Sequence, residues 1–76
     1  MLSVKKIKET NKYVLYQYFP EDKLSFGIIK FGKEGSGEVI KMEEEYGEVY
    51  ALKAMTLMRM FSKKNEYPEN GIIQWF

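Results

Sequence analysis

The sequence predicts a small α+β fold. An antiparallel sheet of three to four strands packs on one long helix in the C-terminal half, and a short apolar strand or tail closes the chain. Three observations predict it. Residues 13–31 hold two aromatic and β-branched runs around the polar segment Pro-Glu-Asp-Lys, the pattern of an antiparallel hairpin. Residues 43–65 carry apolar side chains at helical spacing, with acids first and bases last. Residues 72–76 read Ile-Ile-Gln-Trp-Phe and are costly to leave in water, because Trp and Phe each present about 150–250 Å² of mostly apolar area.

The chain reads as one domain over residues 1–76, with no internal repeat and no Pro- or Ser-rich linker. Residues 1–12 form an irregular edge strand or arm. Leu2 and Val4 alternate, Ile7 breaks the period, and the lysines at Lys5, Lys6 and Lys8 suit a strand that must not pair with other chains. Residues 13–42 supply the antiparallel strands. With Pro20–Lys23 as the whole loop, Phe19 pairs with Leu24, Gln17 with Phe26, Leu15 with Ile28 and Tyr13 with Lys30. The other face then holds Tyr18 by Ser25, Tyr16 by Gly27, Val14 by Ile29 and Lys12 by Phe31. Tyr16 covers the bare Gly27. The Gly-rich segment 32–37 is a turn, because a strand follows it and not the helix start that a phosphate loop needs. Residues 38–42 read as a third core strand.

The helix has Glu43, Glu44, Glu45 and Glu48 at its start and Arg59, Lys63 and Lys64 at its end, and Gly47 marks a later start as the alternative. Tyr46, Tyr50, Ala54, Leu57, Met58 and Phe61 share one stripe, widened by Ala51 and Met55 on one side and Val49 and Met60 on the other. Glu48, Thr56, Arg59 and Lys63 form a narrow polar back, with Leu52 stranded among them. The stripe exceeds the 100° or so of an ordinary surface helix. Pro68 stops the helix, and Asn70-Gly71 makes a turn before the last segment. The expected core is Leu15, Phe19, Phe26, Ile28, Val39, Tyr50, Ala54, Leu57, Met58, Phe61 and Trp75.

Composition narrows the function. A chain of 76 residues buries only about 60% of its unfolded surface, and such scaffolds usually lean on disulfides, a metal or self-association. Cysteine and histidine are both absent. Thiol chemistry, disulfides, histidine-based acid–base catalysis and a normal zinc site go with them. The paired carboxylates Glu21-Asp22 and Glu43-Glu44-Glu45 suit a turn and a helix start. The expectation is therefore a non-enzymatic protein with no cofactor and no metal. The net charge of +1 makes no global case for nucleic acid or anionic lipid, and no apolar stretch reaches the ~20 residues of a membrane span. No leader is apparent, so a cytoplasmic location is expected. All basic residues except Arg59 are lysine, a bias common in AT-rich bacterial or phage genomes.

The sequence offers more apolar surface than one helix on one sheet can hide. The leading expectation is an interaction module that self-associates as a homodimer or docks a protein partner. Its candidate residues are Tyr16, Tyr18, Phe31, Leu52, Met60, Trp75 and Phe76. The alternative is a small nucleic-acid-binding protein that uses Tyr16, Tyr18 and Phe31 as a stacking face, with Lys5, Lys6, Lys8 and Lys12 beside it.

Overall fold

A computed structural model describes residues 1–21 and 23–73. The chain runs β1 (Leu2–Glu9), β2 (Tyr13–Pro20), β3 (Gly27–Gly32), β4 (Gly37–Lys41), α1 (Glu48–Lys64) and β5 (Asn70–Ile73). The α+β fold is the predicted one, with five strands rather than three or four. All pair antiparallel, in the order β4-β3-β2-β1-β5. The chain leaves the sheet at the β4 edge and rejoins it at the β5 edge. That crossing spans four inter-strand gaps, about 19 Å in all. A helix of 17 residues is about 25 Å long, so α1 makes the crossing over one face and packs on β1, β2 and β3.

The hairpin forms with a register two residues from the expected one. Tyr13 pairs with Gly32, Leu15 with Lys30, Gln17 with Ile28 and Tyr18 with Gly27. A shift of two keeps every side chain on its face, because the strand period is two. The aromatic cover on Gly27 is therefore Tyr18 and not Tyr16: a Cβ at Gly27 would lie 2.3 Å from the Tyr18 ring. In β1 the register shifts between Lys6 and Lys8, so Ile7 sits in a bulge. The last strand pairs with β1 and places Ile72 opposite Ser3. Trp75 and Phe76 lie outside the described residues, as does Asp22 of the hairpin loop.

The face that α1 covers is the opposite of the expected one. Val14, Tyr16 and Tyr18 of β2, Ile29 and Phe31 of β3 and Leu2 and Val4 of β1 are buried against Ala51, Ala54, Met55, Leu57 and Met58. Ala54, Leu57 and Met58 are core residues as expected, and Tyr50 and Phe61 pack half-buried against the cluster. Leu15, Phe19, Phe26 and Ile28 are not core: they are half-buried on the far face. Val39 is 37% exposed, because β4 is an edge strand lying mostly beyond the helix. The physical reason for the inversion is polarity. The far face includes Gln17 and Lys30, which cannot be buried without partners. The polar groups of the covered face all have partners: Lys6 at its margin donates to Glu9 and to the Tyr67 carbonyl, and both tyrosine hydroxyls are satisfied. Tyr16 donates to the Pro68 carbonyl, and Tyr18 accepts from the Glu43 N–H at 2.9 Å. Burial pushes both phenols above their ordinary pKa, so they remain neutral.

The helix starts at Glu48, later than Glu43, with Gly47 at φ 72° as its N-cap. Glu43 is buried in the lead-in and acts as a local cap. Its carboxylate accepts from the Ser25 hydroxyl and from the N–H groups of Glu45 (3.1 Å) and Tyr46 (2.9 Å). These donors hold its pKa below the usual carboxylate range, the Ser25 hydroxyl most of all. The helix ends on Asn65, which is left-handed at φ 54°. Among the described residues no helix is long and apolar enough to cross a membrane.

Candidate functional site

The uncovered sheet face is the most distinctive surface of the molecule. Side chains alternate along a strand and align across strands, so the pairing fixes its layout. One row runs Glu38, Lys30, Leu15 and Lys8 from β4 to β1. The next runs Lys41, Ile28, Gln17, Lys5 and Asn70 from β4 to β5. Beyond it, Phe19 faces Ser3 and Ser3 faces Ile72. Phe26 lies beside Phe19, with ring centroids 5.8 Å apart. Tyr13 closes the opposite end, about 20 Å from Phe19 at the normal strand rise.

The rings and the cations are in contact. Lys30 Nζ is 4.6 Å from the centre of the Tyr13 ring, and Lys8 Nζ is 5.8 Å from the same ring. Lys41 Nζ stands 4.2 Å from the centre of Phe26. Tyr13 and Phe26 thus each carry an ammonium group on the ring, an arrangement worth about 0.5–1 kcal/mol at exposed sites. Lys5, Lys8, Lys30 and Lys41 share this face with Glu38 as the acid in the paired positions. Among the described residues the salt bridges of these lysine-rich strands lie elsewhere: Lys6 and Lys33 meet Glu9 at 2.7 Å, and Lys6 meets Glu69 at 3.5 Å. A shallow cavity of about 390 Å³ borders the Tyr13 end of the face, lined by Lys12, Tyr13, Lys30, Glu34 and Glu38 among others.

No family model matches this chain, and neither the curated proteins nor the solved structures yielded a match.

The structure divides the residues that the sequence singled out. Tyr16, Tyr18 and Phe31 are buried beneath α1 and are not surface residues; a partner or a base cannot reach them without opening the core. Lys5 and Lys8 are on the uncovered face and Lys12 is on the exposed turn beside it, while Lys6 is on the helix side, bound to Glu9 and to the Tyr67 carbonyl. Leu52 and Met60 are 61% and 48% exposed on the outside of α1. The residues that sequence reasoning missed are Tyr13, Phe19, Phe26, Lys30 and Lys41. The signal was present: Gln17 and Lys30 marked their face as the one left in water.

Among the described residues no group of three or more carboxylate, histidine or cysteine side chains is placed to hold a metal. Glu43, the buried carboxylate, spends its oxygens on Ser25 and two backbone N–H groups. It is a structural cap with its lone pairs engaged.

Proposed function

We propose that this chain is a non-enzymatic binding module that receives single-stranded nucleic acid on its uncovered sheet face. One observation carries the reading: Tyr13, Phe19 and Phe26 lie on the same open face as Lys5, Lys8, Lys30 and Lys41. Aromatic faces take unpaired bases by stacking, at about 1–3 kcal/mol per base, and cations between them follow the phosphates. Stacking on these rings needs bases whose faces are free, which an unpaired strand offers and a stacked duplex does not. Arginine, the residue best suited to bidentate base contacts, occurs once, as Arg59 on the helix. Binding is accordingly tolerant of base sequence.

Charge separates this reading from self-docking through the same face. Two copies set face to face would oppose lysine rows with lysine rows, whereas an anionic polymer relieves their repulsion. Such a reading goes with a cytoplasmic setting, where single strands are met, and the lysine-over-arginine bias goes with a bacterial or phage source.

The test is fluorescence anisotropy of a labelled oligothymidylate of about 12 nucleotides, within the range that single sites of this kind cover. Four phosphate contacts predict a fall of log K with log salt of slope about −3. Absence of binding at low salt overturns the proposal. So does equal competition by polyglutamate, which would assign the face to an acidic polypeptide.

A further inference from the structure

We infer that the outer face of α1 joins a second copy of this chain in an antiparallel two-fold pair centred on Thr56. Three large apolar side chains stand exposed among the charges of this face: Val49, Leu52 and Met60 are 56%, 61% and 48% exposed. These residues lie at helical spacing on the side of α1 opposite the buried Ala51, Ala54 and Met58. Their sequence positions are arranged about Thr56. Leu52 precedes it by four and Met60 follows it by four; Val49 precedes it by seven and Lys63 follows it by seven. Antiparallel pairing about Thr56 therefore sets Leu52 against the partner's Met60 twice over. Val49 then meets the alkyl stem of the partner's Lys63, whose ammonium reaches Glu48 of the first copy.

Two further observations favour a second copy in this orientation. Glu48 stands in the first turn of α1 and Lys63 in the last, so the antiparallel arrangement matches acid with base at both ends and opposes the helix dipoles. A parallel pair would bring Glu48 against Glu48. The Thr56 hydroxyl donates to the Leu52 carbonyl at 3.0 Å. The residue on the axis thus brings no unsatisfied hydroxyl into the contact. The pair is a symmetric interface of the commonest kind, in which one patch meets itself. One helix face buries less than the roughly 1,600 Å² of a standard interface, so the dimer is a weak one, in the micromolar range. Its two sheets lie on the outside, and their basic faces point away from each other. The inference does not depend on what those faces bind.

Sedimentation equilibrium over a concentration series tests the pairing, with circular dichroism melting run alongside. Wild type should pass from monomer to dimer, and Leu52→Glu should be monomeric with its melting intact. Glu48→Lys and Lys63→Glu should each weaken the dimer tenfold or more, and the double variant should restore it. A wild type that stays monomeric at millimolar concentration overturns the inference. A double variant no better than either single one overturns it as well, because the charge pairing would then be absent.

Discussion

The Lys30 ammonium lies 4.6 Å from the centre of the Tyr13 ring, on neighbouring strands of the face that α1 leaves uncovered. The contact places a cation and a stacking surface side by side. Lys30→Ala should cost about 0.5–1 kcal/mol of stability, the usual worth of an exposed pair. It should also lower the salt slope of oligonucleotide binding by about 0.7, one phosphate contact. Chemical denaturation and an anisotropy salt series read the two effects separately.

Tyr18→Phe removes the acceptor for the Glu43 N–H, a buried bond of 2.9 Å. An orphaned buried donor costs about 1–3 kcal/mol. Urea denaturation should show that loss with an unchanged dependence on denaturant. Phe26→Leu, on the uncovered face, should change stability by far less.

Acid should unfold the protein partly through Glu43. Its folded pKa lies below the ordinary glutamate range, chiefly because the Ser25 hydroxyl donates to it. Near pH 4 the unfolded chain therefore holds more proton than the folded one, and stability rises with pH there. The contribution is complete above the ordinary carboxylate range and is lost as pH falls through the depressed value. Glu43→Gln should flatten the stability profile from the ordinary carboxylate range downward, where this linkage operates. An unchanged slope would assign the acid sensitivity to other carboxylates such as Glu9, which Lys33 and Lys6 hold low.

Gly27→Ala should be costly, because the new Cβ would lie 2.3 Å from the Tyr18 ring. Overpacking of this kind costs about 1–3 kcal/mol. Melting temperature reports it, and the Gly27→Ala/Tyr18→Val double variant should lose less than the sum of the two single variants, because the clash goes with the ring.

Much of this fold could be read from the sequence, and the reasons are local. The hairpin announced itself through β-branched and aromatic runs, and the helix through its spacing and its charge order. The register was read two residues short because Leu24 and Ser25 belong to a longer connection, held where Ser25 donates to Glu43. That partner lies 18 residues away and leaves no mark on the hairpin itself. The inverted face was marked locally by Gln17 and Lys30, but what masked that signal was again long-range. Tyr16 and Tyr18 look like surface residues until their hydroxyls find the Pro68 carbonyl and the Glu43 N–H, 52 and 25 positions distant. Leu52 was legible as an exposed helix residue because its neighbours on the helix wheel are polar. The aromatic–lysine face needed the register of β1 and β4 on β2 and β3, which alternation alone does not give.

The proposed binding puts single-stranded nucleic acid on the uncovered face and not on the Tyr16 face. Side-chain NMR during an oligothymidylate titration tests it most directly. The ring resonances of Tyr13, Phe19 and Phe26 should shift with saturation while those of Tyr16, Tyr18 and Phe31 stay fixed. Unmoved signals from Tyr13, Phe19 and Phe26, or shifts confined to the buried trio, would contradict it.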